Sequence, residues 1–432
     1  MKIFTKTERL HAPIFDVYCA LEQRYDEKFL YLSQGVGAKL AGLGCVVAEE
    51  RFESLPHQFL GSIQRAPVLF GADVFYPDDD TEKNPLFQVL QGSAYVLPEI
   101  VLIEDGGERY VQVNSVSPDP QIPDLLSAPG GPDAECPGEG HDIDYRLVRD
   151  DERHWFDSVD DALGRIRRHD LDKVVLAREF RVQTDTGFSS REMVANLLAA
   201  GECGTLILHE VNGVFFIGST PELLIRKQGT RITTMCLAGT TAAGDTDDER
   251  AAGADFLLGD EKNLREHGYV VEHLVGCLSD VCSSTTMAET PEILALKRMI
   301  HLCTPVTGTL ARDVSMIELR DRLHPTPALA GTPVPNAKAA IREMEGFNRG
   351  FYGGTFGYVD FEGNGEFSVA IRSGVFCRDF GYVYAGCGIV EGSDPATEYE
   401  EIDMKLKTIL SAFQGPESRK RESQSATRAA GR

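Results

Sequence analysis

The chain has 432 residues, 42% of them hydrophobic, and a formal net charge of −24. That length and apolar content suit one large globular domain or two to three ordinary ones. The negative mean field argues against nucleic acid or an anionic membrane as a partner, and an anionic substrate would have to be met by locally placed Lys, Arg or metal. Residues 1–23 lack the continuous apolar core of a signal peptide, and the longest mostly apolar run, 38–48, is too short to cross a bilayer. A cytoplasmic protein without membrane contact is expected. The ten cysteines show no Cys-x-x-Cys or Cys/His zinc spacing and are expected to be reduced, mostly buried thiols.

In chain order, the pattern predicts strands over 59–68, 92–104 and 109–114. Residues 116–141, dense in Pro, Gly and Asp, read as a long surface excursion. A helix is predicted over 158–168, capped by Ser158, and a strand over 172–182. The run 206–217 alternates around Asn212-Gly213, a hairpin signal because both central positions want positive φ. The longest helix is predicted over 256–278. Strands follow over 355–361, 366–378 and 381–384, then a glycine turn at Gly386 and Gly388. The last helix has Asp394 as N-cap and Pro395 at its first position. From 415 onward the chain is polar and reads as a disordered tail, which leaves 1–414 as a single large domain. Strands outnumber helices and many are hairpin-connected, so the expected class is α+β, with large antiparallel sheets and helices outside.

Several residues could carry chemistry. Lys173 opens an apolar strand, where loss of water favours a neutral amine able to take a proton; snorkelling to solvent is the alternative. Glu222 follows Thr220-Pro221, so it reads either as an acid in the first turn of a helix, stabilised in its ionised form, or as a catalytic acid raised by burial. Glu266 shares a helix face with Lys262, Val270 and His273, which allows either a metal or a salt bridge to Lys262. Arg372 interrupts an apolar strand and needs an anion, for which a bound carboxylate or a structural acid would serve. The turns at 237–240 and 385–388 could offer backbone amides to an anion. Glu398, Glu401 and Lys405 fall on one helix face, either as a seat for a divalent cation and an anionic ligand or as a solvated ion-pair stripe.

The ordered set DKVVLAR (172–178), GSTPELL (218–224), LAGT (237–240), EKNLREH (261–267), LHPTPALAGTP (323–333), FYGG (351–354), VAIRS (369–373) and AGCGIVEGSDPATEYEE (385–401) resembles the chorismate-utilising enzymes. Within them it is most similar to the isochorismate synthases of menaquinone and siderophore biosynthesis. The resemblance implies one domain of two antiparallel sheets stacked face to face with helices outside, and Mg²⁺ bridging protein carboxylates to the ring carboxylate of chorismate. By motif position Glu266 and Glu401 match the direct Mg²⁺ ligands, with Glu398 acting through water. Arg372, Lys405 and the amides near Gly386, Gly388, Gly239 and Thr240 match the substrate-binding set, with Tyr352 and Tyr384 shaping the pocket. Lys173 matches the base that activates water and Glu222 the acid that protonates the C4 hydroxyl. His301 also falls at a family motif and reads as a pocket-wall or structural residue.

The lysine at 173 separates the chain from relatives that add ammonia, so no glutaminase subunit is expected; the molecule is expected as a monomer or homodimer. Salicylate synthases share the lysine and go on to eliminate pyruvate, and they form the first alternative. An aminating subunit and a non-catalytic chorismate-binding protein are the others. Cys387 replaces the alanine usual in the family's Ala-Gly-Ala-Gly turn, a small change in pocket shape.

Overall fold

The computed structural model describes residues 2–33, 37–49, 59–61, 65–77, 84–91, 95–123, 140–148, 152–201 and 204–420. Its described strands form a 13-stranded and a 10-stranded sheet, and their pairing is antiparallel except where Ile3–Arg9 meets Phe59–Leu60. The alternation of apolar residues explains why the sheets stack. Phe29, Ile207 and Phe216 of the larger sheet and Phe70, Val96 and Phe356 of the smaller one share a buried cluster, with Phe29 and Phe70 stacked at 5.3 Å between ring centroids. Tyr31 crosses the same gap, donating to Glu366 at 2.8 Å. Helices Glu152–Arg167, Ser190–Ala200 and Pro395–Leu410 contribute their buried faces to a second cluster with the larger sheet. Helix Glu261–Ser279 packs on strand Arg231–Ala242 of the smaller sheet. The expected α+β arrangement of two largely antiparallel sheets is therefore present.

Three places where the chain passes between sheets differ from the continuous elements expected. The 92–104 strand is two, Tyr95–Leu97 in the smaller sheet and Ile100–Asp105 in the larger. The 366–378 strand is also two, Gly365–Val369 in the smaller sheet and Ser373–Cys377 in the larger, with Ala370-Ile371-Arg372 as the crossing. Thr220-Pro221-Glu222 starts no helix; it joins strand Val214–Thr220 of the larger sheet to Leu223–Gln228 of the smaller. These last two crossings are stitched together, for Val369 N–H donates to the Glu222 carbonyl at 3.0 Å and Ser219 N–H to that of Arg372 at 3.3 Å.

Other boundaries also differ. The 59–68 strand resolves into Phe59–Leu60 and a separate Val68–Asp73. Helix Glu152–Arg167 begins well before Ser158, because its buried stripe Trp155, Val159, Ala162 and Ile166 starts earlier; Ser158 caps nothing and donates to the Met344 carbonyl at 3.2 Å. The 256–278 helix is broken at Asp260, which ends Asp247–Gly259 and caps Glu261–Ser279 by accepting from Asn263 N–H at 2.9 Å. Gly386 and Gly388 sit inside strand Phe380–Val390 instead of a turn, and 237–240 is a bulge inside Arg231–Ala242. The Asn212-Gly213 hairpin forms with φ of 52° and 78°, and Asp394 caps its helix by accepting from Thr397 N–H at 2.9 Å. The tail does not fray at 415: residues 416–420 are helical, and Arg419 donates to the Asn196 carbonyl at 3.3 Å. The remainder of that tail, and most of the 116–141 excursion, lie outside the described residues. Cys19 is disulfide-bonded, against the expectation of reduced thiols throughout. Among the described residues no helix is long and apolar enough to cross a membrane.

Candidate active site

The stitched crossings form one end of a cavity, and they deliver Glu222 and Arg372 to it. Arg372 adopts φ of 53°, a left-handed conformation that L residues take sparingly and that here turns its side chain off the strand path. Glu222 is 4% exposed. Burial raises its carboxyl to about 7 even though Lys173, Arg372 and Lys405 all pull it down. A first-turn helix acid would shift the other way, so the crossing, not a helix start, sets this group's chemistry.

The opposite wall comes from paired strands Lys173–Gln183 and Phe380–Val390 with helices Glu261–Ser279 and Pro395–Leu410 packed against them. Lys173 is fully buried. Its Nζ lies 3.0 Å from Glu266 Oε1, and among the described residues it makes no hydrogen bond of good geometry. The partner of Glu266 is thus Lys173, whereas Lys262 reaches Glu398 at 2.6 Å. Burial pushes Glu266 up, but Lys173, Lys405 and Lys262 outweigh it and hold the carboxyl below its ordinary range. Lys405 is anchored by Glu401 at 2.6 Å and by the Gly386 carbonyl at 2.8 Å. Burial and the neighbouring Glu401 hold Glu398 above the ordinary range despite Lys262.

The third wall is the bulge. Gly239 takes φ of 81° there, and Thr240 bonds His301 Nδ1 at 2.8 Å. His267 secures the bulge from behind: its Nδ1–H donates to the Ala238 carbonyl at 3.2 Å, which leaves Nε2 to accept from Thr304 at 2.8 Å. Tyr352 closes the cavity and stacks on Tyr384 at 5.2 Å.

Of the residues predicted from the sequence, the cavity brings together Glu222, Gly239, Thr240, Glu266, Tyr352, Arg372, Gly386, Gly388, Glu401 and Lys405. Lys173 lies just behind the lining, against Glu266. Glu398 is committed to Lys262 and Tyr384 to Glu179, to which its hydroxyl donates at 2.9 Å, so neither lines the cavity. Residue reasoning missed Val175, Leu329 and Arg349, which do line it. Leu329 sits in the stretch LHPTPALAGTP, but nothing in its local pattern marks it as cavity wall. His301 faces the cavity, as its motif position suggests, with a buried Nε2 that has no partner among the described residues; burial, then Arg372 and Lys405, hold it well below the ordinary imidazole range.

The carboxylates also bear on metal binding. Glycine at 388 leaves open the space beside Glu266, since a Cβ there would stand 2.2 Å from Oε1. Two hard carboxylates, Glu266 and Glu401, on one such cavity fit Mg²⁺, which commonly takes one or two carboxylates and fills its sphere with water and substrate oxygens. Among the described residues no three His, Cys, Asp or Glu side chains group closely enough to hold a metal unaided.

Comparison with known proteins places this chain in a family. Isochorismate synthase MenF of Bacillus subtilis is 34% identical over 385 residues, 84% of this chain and 77% of that protein. The vibriobactin-specific isochorismate synthase of Vibrio cholerae is 35% identical over 388 residues, 86% of this chain and 88% of the other. The fold matches that of MenF, the menaquinone-specific isochorismate synthase from Escherichia coli, with a TM-score of 0.77 at 22% identity, covering 95% of each chain. It also matches anthranilate synthase component I from Streptococcus pneumoniae, with a TM-score of 0.64 at 18% identity over 94% of this chain and 92% of that one. The family model described as chorismate binding enzyme matches residues 48–414, and together with these relatives it shows that this chain belongs to the chorismate-binding enzymes.

Proposed function

We propose that the protein is an isochorismate synthase, converting chorismate to isochorismate with Mg²⁺ as its cofactor. The observation that carries this reading is a buried carboxyl held protonated to about pH 7, Glu222, sharing a cavity with two cations, Arg372 and Lys405, and with Lys173 just behind its lining. Arg372 and Lys405 hold the substrate's carboxylates, which the net charge of −24 would otherwise repel. Glu266 and Glu401, with Glu398 in support through water, would hold Mg²⁺, which would supply neutralising charge at the ring carboxylate. With its amine neutral, Lys173 takes a proton from water at Nζ as the water oxygen bonds to C2. The ring double bonds shift, the C4–O bond breaks, and Glu222 supplies the proton with which that oxygen leaves as water. One water enters and one departs, so the reaction is an isomerisation. Tyr352 and the bulge at Gly239 and Thr240 shape the space around the ring, with Gly386 and Gly388 admitting it close to the strand.

The reading is tested by incubating the purified protein with chorismate and Mg²⁺ and separating the products by chromatography. Isochorismate without salicylate is expected. Salicylate with pyruvate, or turnover only when ammonia is supplied, refutes it. Lys173→Ala is expected to keep the fold, checked by circular dichroism, and to lose turnover; wild-type rates in that variant remove Lys173 as the base.

A further inference from the structure

Among the described residues, strand Lys173–Gln183 is paired along its whole length on one side but only at its two ends on the other. There Gly331–Thr332 covers residues 173 and 174, and Arg146–Val148 covers 181 to 183. Among the described residues no strand pairs with 175–180 on that side, and the Val175 N–H is met by the Ala330 carbonyl at 2.8 Å; the backbone groups of a buried strand need such partners. Two side chains fill part of the gap. Glu345 Oε1 accepts from Ala177 N–H at 2.7 Å, and Arg349 Nη2 donates to the Val175 carbonyl at 2.8 Å. The two lie four positions apart, just past the end of helix Val334–Met344, and are bonded to each other, Nε to Oε2 at 2.8 Å and Nη2 to Oε1. Both are almost wholly buried.

The same guanidinium reaches further. Nη1 donates to the Leu329 carbonyl at 2.9 Å, and the Arg349 carbonyl accepts from Tyr352 N–H at 2.9 Å. Leu329 and Tyr352 both line the cavity, as does Val175, which the two-residue period of a strand puts on the same face as Lys173. These bonds hold all three guanidinium nitrogens and leave only one Nη1 hydrogen, so the group is committed chiefly to the protein and not to recognition of a substrate carboxylate. Arg372 is the one placed for that.

We infer that Glu345 and Arg349 are a positioning pair, bonded to the strand's own backbone, that fixes the Lys173-bearing strand relative to the Leu329 and Tyr352 wall. The inference rests on the proposed isochorismate synthase activity in taking Lys173 as the base. Misplacement of a catalytic group by about 1 Å costs on the order of 100-fold in rate, and loss of the pair frees just such a displacement.

The test uses Arg349→Lys and Glu345→Gln in the full chain, so that one variant reports if the other fails to fold. Each is expected to lower kcat on the order of 100-fold while KM for chorismate stays within about threefold, the split that marks loss of transition-state geometry. Hydrogen exchange in a peptide spanning 173–180 should quicken at unchanged exchange elsewhere. Methylguanidinium should restore part of the kcat of Arg349→Ala. The proposal is overturned by unchanged kcat in a folded variant, by a loss confined to KM, by activity that merely tracks the folded fraction, or by unaltered exchange in 173–180. A wild type that forms no isochorismate refutes the proposed function instead, and the exchange rates then decide whether the pair holds the strand.

Discussion

A carboxyl can act as an acid at neutral pH only if its surroundings keep the proton on, and Glu222 shows which force does so. Arg372 and Lys405, with Lys173 when it is protonated, stand near enough to favour ionisation, yet burial outweighs them and raises the group to about 7. Glu266 shows the reverse balance, because Lys173 touches it and the other lysines reinforce the effect. The sign for activity follows: Glu222 carries its proton below about 7 and loses it above, so the limb of the kcat/KM profile set by this acid should fall as pH rises through that value. Glu222→Gln should fold and lose turnover by about 100-fold or more. Stability gives an independent reading. Because the folded value lies above the unfolded 4.5, the folded state holds the extra proton, so the Glu222 contribution declines as pH rises from 4.5 and is gone above about 7. The melting temperature of Glu222→Gln relative to wild type should therefore climb across that window and level off beyond it. A flat difference across the window would show that burial does not raise this carboxyl.

At the scale of elements, the site depends on two glycines lying in a strand. Gly388 has ordinary extended geometry, so alanine is acceptable to the backbone, but its Cβ would stand 2.2 Å from Glu266 Oε1 and 2.9 Å from Lys173 Cε. Gly388→Ala should leave the fold intact by circular dichroism and displace that pair, with a kcat loss on the order of 100-fold; near-normal turnover would show that the pair's placement does not matter. Elements with a local signal were legible beforehand. The Asn212-Gly213 turn and the Asp394 cap are set by φ preferences and a side-chain oxygen within a few residues, and the structure has both. The crossings were not. Apolar character runs unbroken from Val369 through Ala370 and Ile371, so nothing local says that the partner strands change, and only Arg372 with its positive φ marks the place. Thr220-Pro221-Glu222 has the signature of a helix start because cap, proline and acid favour the same short-range geometry. The strand partners waiting on each side decided otherwise. The chemistry-bearing residues fell at recognisable motif positions, whereas Glu345 and Arg349 act on a strand more than 160 positions away and leave no local trace.

At the scale of the molecule, a pocket that gathers its own cations beside its carboxylates sits in a strongly anionic body. The cavity gathers Arg372 and Lys405, with Lys173 behind it, against a net charge of −24. Self-repulsion among surface carboxylates destabilises the compact state, and chloride salts screen it, because exposed charges more than a Debye length of about 8–10 Å apart cease to interact at physiological ionic strength. Exposed ion pairs such as Arg312 with Glu318 and Arg165 with Glu343 work against this trend, since salt weakens them too, but each contributes only about 0–1 kcal/mol. Buried pairs, Glu345 with Arg349 and Lys173 with Glu266, are screened far less and should not move with salt. Repulsion outweighs the exposed pairs at this charge, so the melting temperature should rise as KCl is taken from about 0.05 M to about 0.5 M, and NaCl should act alike. A melting temperature that falls over that range would mean that local pairing, and not net charge, governs the surface of this enzyme.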